Sequence, residues 1–243
     1  MPNDPIWMKE VQCKACDAKF KTPRIKSSFL KAKSIDSDFH KVYENLNPLY
    51  YAVTACPECN YAARDEDFDK QGLEYYPEVI NIALAIKKSG KNIKFANARE
   101  TTPEEAINKH LIAISFYRHF KPENPNTIAG LYMHIVWMYR EMGNETKEKE
   151  YMQHALEYYI KTFEKGSFIP EKIGEPGIIY IIGEMNRRLG NYPEAVKWFS
   201  RAVKHAQIGM FANIEHLTRD AWEKITEEKR KGQNSQLETG GQA

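Results

Sequence analysis

The sequence has little cysteine: its 243 residues include four, arranged as the two pairs Cys13/Cys16 and Cys56/Cys59. No thiol remains for a separate role. The N-terminus lacks the basic start and apolar core of a secretory signal. The longest apolar runs, such as Ile178–Ile182, are far too short to span a bilayer. We therefore expect a cytoplasmic protein without a membrane partner, and reduced cytoplasmic thiols argue against disulfides.

A strong charge imbalance and the common catalytic motifs are also missing. The formal net charge is +2, so the chain as a whole is not an obvious nucleic-acid or membrane binder. There is no phosphate-binding loop, no GxGxxG, no HExxH and no nucleophile elbow. The seven histidines are scattered along the chain. These absences favour a protein that is not an enzyme.

What is present in the N-terminal part indicates a metal site. The stretches Cys13-Lys-Ala-Cys16 and Cys56-Pro-Glu-Cys59 each offer two thiolates from one tight turn, and each is followed by a short turn and an aromatic residue. Two such turns close the tetrahedral shell of a structural zinc ion and leave no open position for a substrate. We predict that these four cysteines hold Zn²⁺ in a small β-rich, zinc-ribbon-like module over residues 1–66. Redox or sensing cysteines are the alternative, although neither pair has a thioredoxin-like βαβ context.

After residue 66 the apolar periodicity becomes helical, which predicts a mainly α fold. We assign residues 67–231 to an array of antiparallel helical hairpins and residues 232–243 to a disordered tail. The stretch from Leu189 to Val203 resembles the second half of a tetratricopeptide repeat. Gly190 would make its turn, Ala195 and Ala202 would be small where the helices cross closely, and Phe199 would fill the space between them. A similar register recurs around Gly143, as a repeat requires. We expect this helical domain to fold without the N-terminal module.

As a whole, the chain resembles a bacterial family known as domain of unknown function 2225. The resemblance rests on the paired Cys-x-x-Cys turns, the phrase NPLYY at Asn47–Tyr51 and the phrase CPECNYAA at Cys56–Ala63. A common version of the family has glycine where this chain has Asn60. Asparagine tolerates the left-handed conformation that glycine would adopt, so this departure costs little. The family brings no known activity: the resemblance supports the architecture and leaves the function open.

The repeat interpretation also predicts a binding groove. Phasing the two hairpins by their turns at Gly143 and Gly190 places the first helix of each on a concave face. The predicted lining residues are Met133, Trp137, Arg140, Tyr180, Glu184, Arg187 and Arg188. Arginines between aromatic side chains suit an extended acidic or C-terminal peptide of a protein partner. In the alternative interpretation Trp137 is a core residue and the arginines are solvated.

A second function class stays open, namely a nucleic-acid-binding zinc protein whose helical half regulates or dimerises it. Between Lys9 and Lys41 there are nine basic and four acidic residues. Phe20, Phe29 and Phe39 are interleaved with them, a mixture that can contact a nucleic-acid backbone and stack on bases. The sequence does not determine the oligomeric state.

Overall fold

The computed structural model describes residues 4–69, 72–91, 93–166 and 173–240, with side chains described as far as residue 229. The chain is mainly helical with a strand-rich N-terminal region, which confirms the predicted fold class. It divides into two compact units. The first comprises Met1–Asp36 and His40–Tyr151, and the second comprises Ser37–Phe39 and Met152–Ala243. Among the described helices, none combines the length and apolarity that a membrane span requires.

Three antiparallel hairpins form the strand-rich region of the first unit. They pair β1 (Ile6–Gln12) with β2 (Lys19–Ile25), β3 (Ala32–Ile35) with β4 (Lys41–Tyr43), and β5 (Val53–Ala55) with β6 (Ala62–Arg64). The first and third hairpins are closed by the two Cys-x-x-Cys turns, since Gln12 pairs with Lys19 and Ala55 pairs with Ala62. Both cysteine pairs therefore lie at the turns of β-hairpins.

Helices complete the first unit. They are α1 (Asp65–Phe68), α2 (Pro77–Ser89), α3 (Pro103–Tyr117), α4 (Pro125–Glu141) and the part of α5 (Glu145–Glu164) up to Tyr151. The starts of α3 and α4 follow from sequence: Thr102 and Asn124 each cap the helix with a side-chain oxygen, and proline follows at the first helical position. Helix α3 packs against α4 and against strands β5 and β6.

The strands and the helices of the first unit share one core. Tyr61, which follows the second cysteine turn, is fully buried, with its ring 5.3 Å from that of Phe68 and 5.4 Å from that of Phe116. The Tyr117 hydroxyl donates a 2.6 Å hydrogen bond to Asp67. Residues on both sides of the boundary predicted at residue 66 thus belong to one compact unit, because the apolar faces of α1 and α3 are covered by the strand region.

The second unit contains the remainder of α5 together with α6 (Gly174–Arg188), α7 (Tyr192–Val203) and α8 (Ala212–Gly240). Gly143 and Gly190, predicted as interhelical turns, both have positive φ angles, 69° and 81°. The tail predicted to be disordered is helical as far as Gly240, and residues 241–243 lie outside the described residues. The segment contains no proline, the residue that would interrupt a helix, so the preceding helix can continue into it.

The contact between α6 and α7 depends on small residues. Ala195, Phe199 and Ala202 are fully buried, as their spacing predicts. Gly183 on α6 provides the space for the Phe199 ring, because a Cβ atom at Gly183 would lie 2.6 Å from two of its carbons. The pattern of large and small residues is therefore real, while the assignment to tetratricopeptide repeats stays a prediction.

We expect Gly183→Ala to destabilise the protein by about 1–3 kcal/mol, because the added methyl group overpacks against a buried ring. Gly130, within α4, is the matched control: a Cβ atom there meets nothing within 4 Å. Gly130→Ala should stabilise by about 0.5–1 kcal/mol, because alanine loses less backbone entropy in a helix. Urea unfolding measures both. Equal effects of the two substitutions would contradict the close crossing of α6 and α7.

Two histidines of the first unit are held neutral. His110 is fully buried, and its Nδ1–H donates to the carbonyl of Ala106 over 2.8 Å, so its Nε2 accepts from Nδ1 of His134 over 3.1 Å. Removal from water lowers the pKa of His110 to about 4 and that of His134 to about 3. A proton added to Nε2 of His110 would face another donor, so the folded unit resists protonation here.

This pair predicts a loss of stability in acid. The unfolded chain binds protons near pH 6.5 whereas folded His110 does so only near pH 4, so its contribution is complete above pH 6.5 and is lost as the pH falls. The loss is about 1.4 kcal/mol per pH unit. His110→Phe should flatten the dependence of unfolding free energy on pH between these values. His216→Phe, at a side chain that is 77% exposed, should leave it unchanged. An unaltered slope in His110→Phe would contradict the assignment.

Candidate metal centre

The four cysteines meet at one point in the first unit. Their sulfur atoms all lie within 4.8 Å of one another. The Sγ atoms of Cys13 and Cys59 are 3.6 Å apart, and those of Cys16 and Cys56 are 3.7 Å apart. A tetrahedral zinc site with Zn–S bonds of about 2.3 Å has S···S edges of about 3.8 Å. All four thiols are free rather than joined in disulfides, so the cluster fits a four-coordinate metal ion.

The two turns that carry the cysteines follow the same backbone path. In the first, Asp17 N donates to Cys13 O over 2.9 Å, and in the second, Asn60 N donates to Cys56 O over 3.0 Å. Asp17 and Asn60, each directly after the second cysteine of its turn, have φ angles of 60° and 57°. The left-handed conformation predicted for Asn60 is thus observed. Two equivalent turns present their thiols to one centre.

The electrostatics of the cluster favour a cation. Hydrogen bonds from Cys13 and Cys59, reinforced by backbone N–H groups of Cys59 and Glu58, lower the pKa of Cys56. Hydrogen bonding to Cys56 raises the pKa of Cys13, and hydrogen bonding to Cys13 raises that of Cys59. Without a positive charge the cluster favours one thiolate at the expense of its neighbours. A divalent ion that prefers soft sulfur ligands removes this conflict.

Asn60 does more than tolerate the turn. Its side-chain amide donates to the carbonyl of Ile93 over 2.7 Å and accepts from the N–H of Ile93 over 2.7 Å. The side chain therefore fixes a segment distant in sequence against the second cysteine turn. Glycine, the common residue at this position in the resembled family, could not form these bonds. The sequence showed the conformation of Asn60 but gave no signal for its partner.

We expect Asn60→Gly to destabilise the first unit by about 2 kcal/mol, because both polar backbone groups of Ile93 lose their partner. Asp17→Gly is the matched control at the equivalent position of the first turn. Asp17 is exposed and accepts one 3.3 Å hydrogen bond from Gln12, so this change should be neutral or stabilise by up to about 1 kcal/mol. The melting temperatures of the metal-loaded variants distinguish the two effects. A lowered melting temperature in Asp17→Gly and an unchanged one in Asn60→Gly would refute the role of Asn60.

The predicted groove residues of α4 contact other residues of the first unit. Met133 is buried. The guanidinium of Arg140 lies 3.1 Å from Asp36 and 2.8 Å from Glu148. Trp137 is partly buried, so it is neither a fully buried core residue nor a free surface side chain. The arginine is held by carboxylates rather than solvated.

His40 contacts several residues of this part of the first unit. Its buried ring stacks on Trp137 with centroids 5.2 Å apart. Its Nδ1 lies 3.3 Å from Asp36 and its Nε2 lies 3.0 Å from Glu141. The other oxygen of Glu141 accepts from the Asn47 amide, which opens the NPLYY phrase. His40 is therefore a satisfied packing histidine.

The predicted groove residues of α6 are brought together in the second unit. Glu184 and Tyr180 are fully buried. Glu184 accepts hydrogen bonds of 2.8 Å from both Arg187 and Arg188 and one of 2.7 Å from Ser37 Oγ. Although burial raises it, these hydrogen bonds, chiefly from Arg187, lower the pKa of Glu184 below its usual value. A partner-binding groove on α4 and α6 stays a prediction. On α6, Ser37 of the same chain contacts three of the predicted lining residues, namely Tyr180, Glu184 and Arg188.

Some of the basic and aromatic residues on which the nucleic-acid alternative rests contact other residues of the chain. Arg24 is buried and paired with Asp65, and the Phe20 ring meets that of Phe68 edge-on at 5.9 Å. The exposed lysines of the set are Lys14, Lys19, Lys21, Lys31, Lys33 and Lys41. These lysines supply positive charge. The rings of Phe20 and Phe39, however, pack against other aromatic rings of the chain, so they are not free to stack on bases.

The fold and the site together define a mainly helical protein whose strand-rich N-terminal region carries a four-cysteine cluster. The chain belongs to the family DUF2225, "Uncharacterized protein conserved in bacteria", whose family model matches residues 6–225. The resemblance drawn from the cysteine turns is thereby confirmed. The chain is also 23% identical over 172 residues to an "Uncharacterized protein" of Borreliella burgdorferi, an alignment that covers 63% of this chain and 59% of that protein. No solved structure matches the chain.

Proposed function

We propose that this protein is a non-enzymatic interaction protein. In this proposal a structural zinc ion, held by Cys13, Cys16, Cys56 and Cys59, stabilises the first unit. The helical hairpins bind an extended segment of a protein partner. The observation that supports the metal part is the sulfur geometry, because the S···S distances of 3.6 and 3.7 Å agree with the edges of a ZnS₄ tetrahedron.

A structural rather than redox role is supported by the surroundings of the thiols. Cys13, Cys56 and Cys59 are fully buried and Cys16 is partly buried, so the cluster offers little access to a substrate disulfide. Each pair closes a β-hairpin rather than starting a helix in a βαβ unit. Four thiolates also fill the coordination shell, which suits a stabilising ion and leaves no position for catalysis.

Partner binding is supported by the chemistry of α6. Tyr180, Arg187 and Arg188 all belong to α6, and arginine and aromatic residues are the types that dominate protein interfaces. Guanidinium groups can pair with carboxylates of an acidic segment in two parallel hydrogen bonds. The proposed partner is therefore a protein segment that carries negative charge.

The test uses the full chain as bait to capture binding proteins from the bacterium that encodes it, and mass spectrometry identifies them. Arg188→Gln removes a partly exposed guanidinium while Arg187 still holds Glu184. Arg219→Gln, on an exposed face of α8, is the matched control. A partner retained by the wild type and the control but reduced several-fold by Arg188→Gln supports the proposal. A partner captured equally by all three, or by none, contradicts it.

The same preparations test the nucleic-acid alternative. If the exposed lysines bind nucleic acid, the purified protein should show a raised ratio of absorbance at 260 to 280 nm, which nuclease and salt remove. Absence of nucleic acid from the protein, together with a protein partner that depends on Arg188, would leave the interaction function as proposed.

A further inference from the structure

A short segment of the chain lies against α6 in the way a bound peptide would. Ser37, in the loop between β3 and β4, belongs by its contacts to the second unit. Its carbonyl accepts a 2.6 Å hydrogen bond from the Tyr180 hydroxyl. Its own hydroxyl donates to Glu184 over 2.7 Å and accepts from Arg188 over 2.9 Å. Backbone and side chain are thus both recognised, as in peptide-binding sites.

The next two residues contribute an acid and an aromatic ring. The Asp38 side chain is fully buried, and a carboxylate oxygen lies 3.8 Å from the Arg188 guanidinium. The ring of Phe39 lies 5.6 Å from that of Tyr180 and packs against the apolar cluster formed by α6, α7 and α8. The second unit therefore offers a hydroxyl to a carbonyl, a guanidinium to a carboxylate and an apolar surface to an aromatic ring.

The segment occupies this surface under strain. Phe39 has a φ angle of 69°, and a bulky residue in the left-handed region is a conformational outlier. Such outliers persist only where the surroundings enforce them. The preceding strand β3 is exposed along its whole length, and its pairing with β4 shifts register between Ala32 and Ser34. A separate chain would not be tied to β3 and β4, so the hairpin would not hold it in this strained conformation.

We propose that the α6 surface formed by Tyr180, Glu184 and Arg188 is a recognition site for an extended protein segment carrying an acidic residue followed by an aromatic residue. Ser37–Phe39 fills this site as an internal competitor. The proposal rests on the interaction function proposed above and names the chemistry of its partner. Because a tethered competitor acts at an effective concentration in the millimolar range, a partner must displace it, and the site is closed until one does.

The experiment uses the full chain and a fluorescent peptide with the sequence of residues 34–41, Ser-Ile-Asp-Ser-Asp-Phe-His-Lys. The double variant Asp38→Ala/Phe39→Gly removes the two anchors of the internal segment and leaves α6 intact. We expect it to bind the peptide at least tenfold more tightly than the wild type does, in fluorescence polarisation. The double variant Lys33→Ala/Lys41→Ala changes exposed residues of the same hairpin and should behave as the wild type.

Two further samples establish specificity. A peptide with asparagine and alanine in place of the second aspartate and the phenylalanine should not bind, and adding Arg188→Gln to the opened variant should weaken binding of the original peptide. If the opened variant does not fold, Phe39→Gly alone carries the test, because glycine adopts the positive φ angle without strain. Peptide binding to a folded opened variant that is no tighter than to the wild type overturns the proposal.

The peptide-binding result can be distinguished from the result of the partner-capture experiment. Failure of the peptide to bind the opened variant, with a partner still captured by the wild type, overturns the internal competitor and leaves the interaction function standing. Binding of the peptide, with no partner captured by either form, shows the site and contradicts the function.

Discussion

Cys56→Ser is expected to abolish stoichiometric metal binding and to unfold the first unit. Cys56 is fully buried, and its loss leaves a three-thiol site with an unfilled coordination position. Structural zinc contributes about 10 kcal/mol or more to the folding of small domains, which is comparable with the whole stability of a typical domain. We therefore expect a loss of several kcal/mol, seen as the disappearance of cooperative thermal unfolding and of zinc in elemental analysis.

Lys14→Ala is the matched control for this substitution. Lys14 lies between the cysteines of the first turn and is exposed, so its removal should leave metal content and melting temperature unchanged. Chelation of the wild-type protein should reproduce the effect of Cys56→Ser, and added zinc should reverse it. A Cys56→Ser variant that melts at the wild-type temperature would show that the first unit does not depend on a metal.

Tyr61→Ala is expected to destabilise the protein by about 3–5 kcal/mol, because it leaves a large cavity in a core that cannot collapse fully. The lost ring lies between Phe68 and Phe116, so the strand region and α3 both lose their common contact. Denaturant unfolding measures the change. Tyr75→Ala, at a residue that is 79% exposed, should alter the unfolding free energy by less than about 0.5 kcal/mol.

The same shared core changes the expectation for a truncated chain. Without the strands, the faces of α1 and α3 that contact Tyr61 would be open to water. A fragment that begins at Asp65 should consequently lose cooperative folding of α3 and α4. If this fragment unfolds cooperatively with undiminished helicity, the two parts do not share a core in the way described.

Local features of the site were predictable because they depend on residues close in sequence. The spacing of each cysteine pair, the left-handed Asn60 and the turns at Gly143 and Gly190 all follow from short-range geometry. Periodicity likewise predicted the small Ala195 and the large Phe199 at the crossing of α6 and α7. The conformation or size required at each of these positions depends on residues only a few places away in the sequence.

Long-range pairings carry no such local signal. Nothing in the sequence indicates that Asn60 binds the backbone of Ile93 or that Ser37 binds Glu184. The boundary placed at residue 66 marked a change in periodicity, which reports the type of secondary structure and not which elements share a core. The repeat phasing placed Tyr180, Glu184 and Arg188 in a groove that stays a prediction, and it could not show that Ser37 of the same chain contacts them.

Zinc stoichiometry combined with X-ray absorption spectroscopy tests the central claim most directly. Protein purified without chelator should contain one zinc ion per chain, with four sulfur neighbours at about 2.3 Å and no nitrogen or oxygen ligand. The Lys14→Ala control should give the same spectrum and Cys56→Ser should give none. Protein that is fully folded without a metal, or a metal with fewer than four sulfur ligands, would contradict the account.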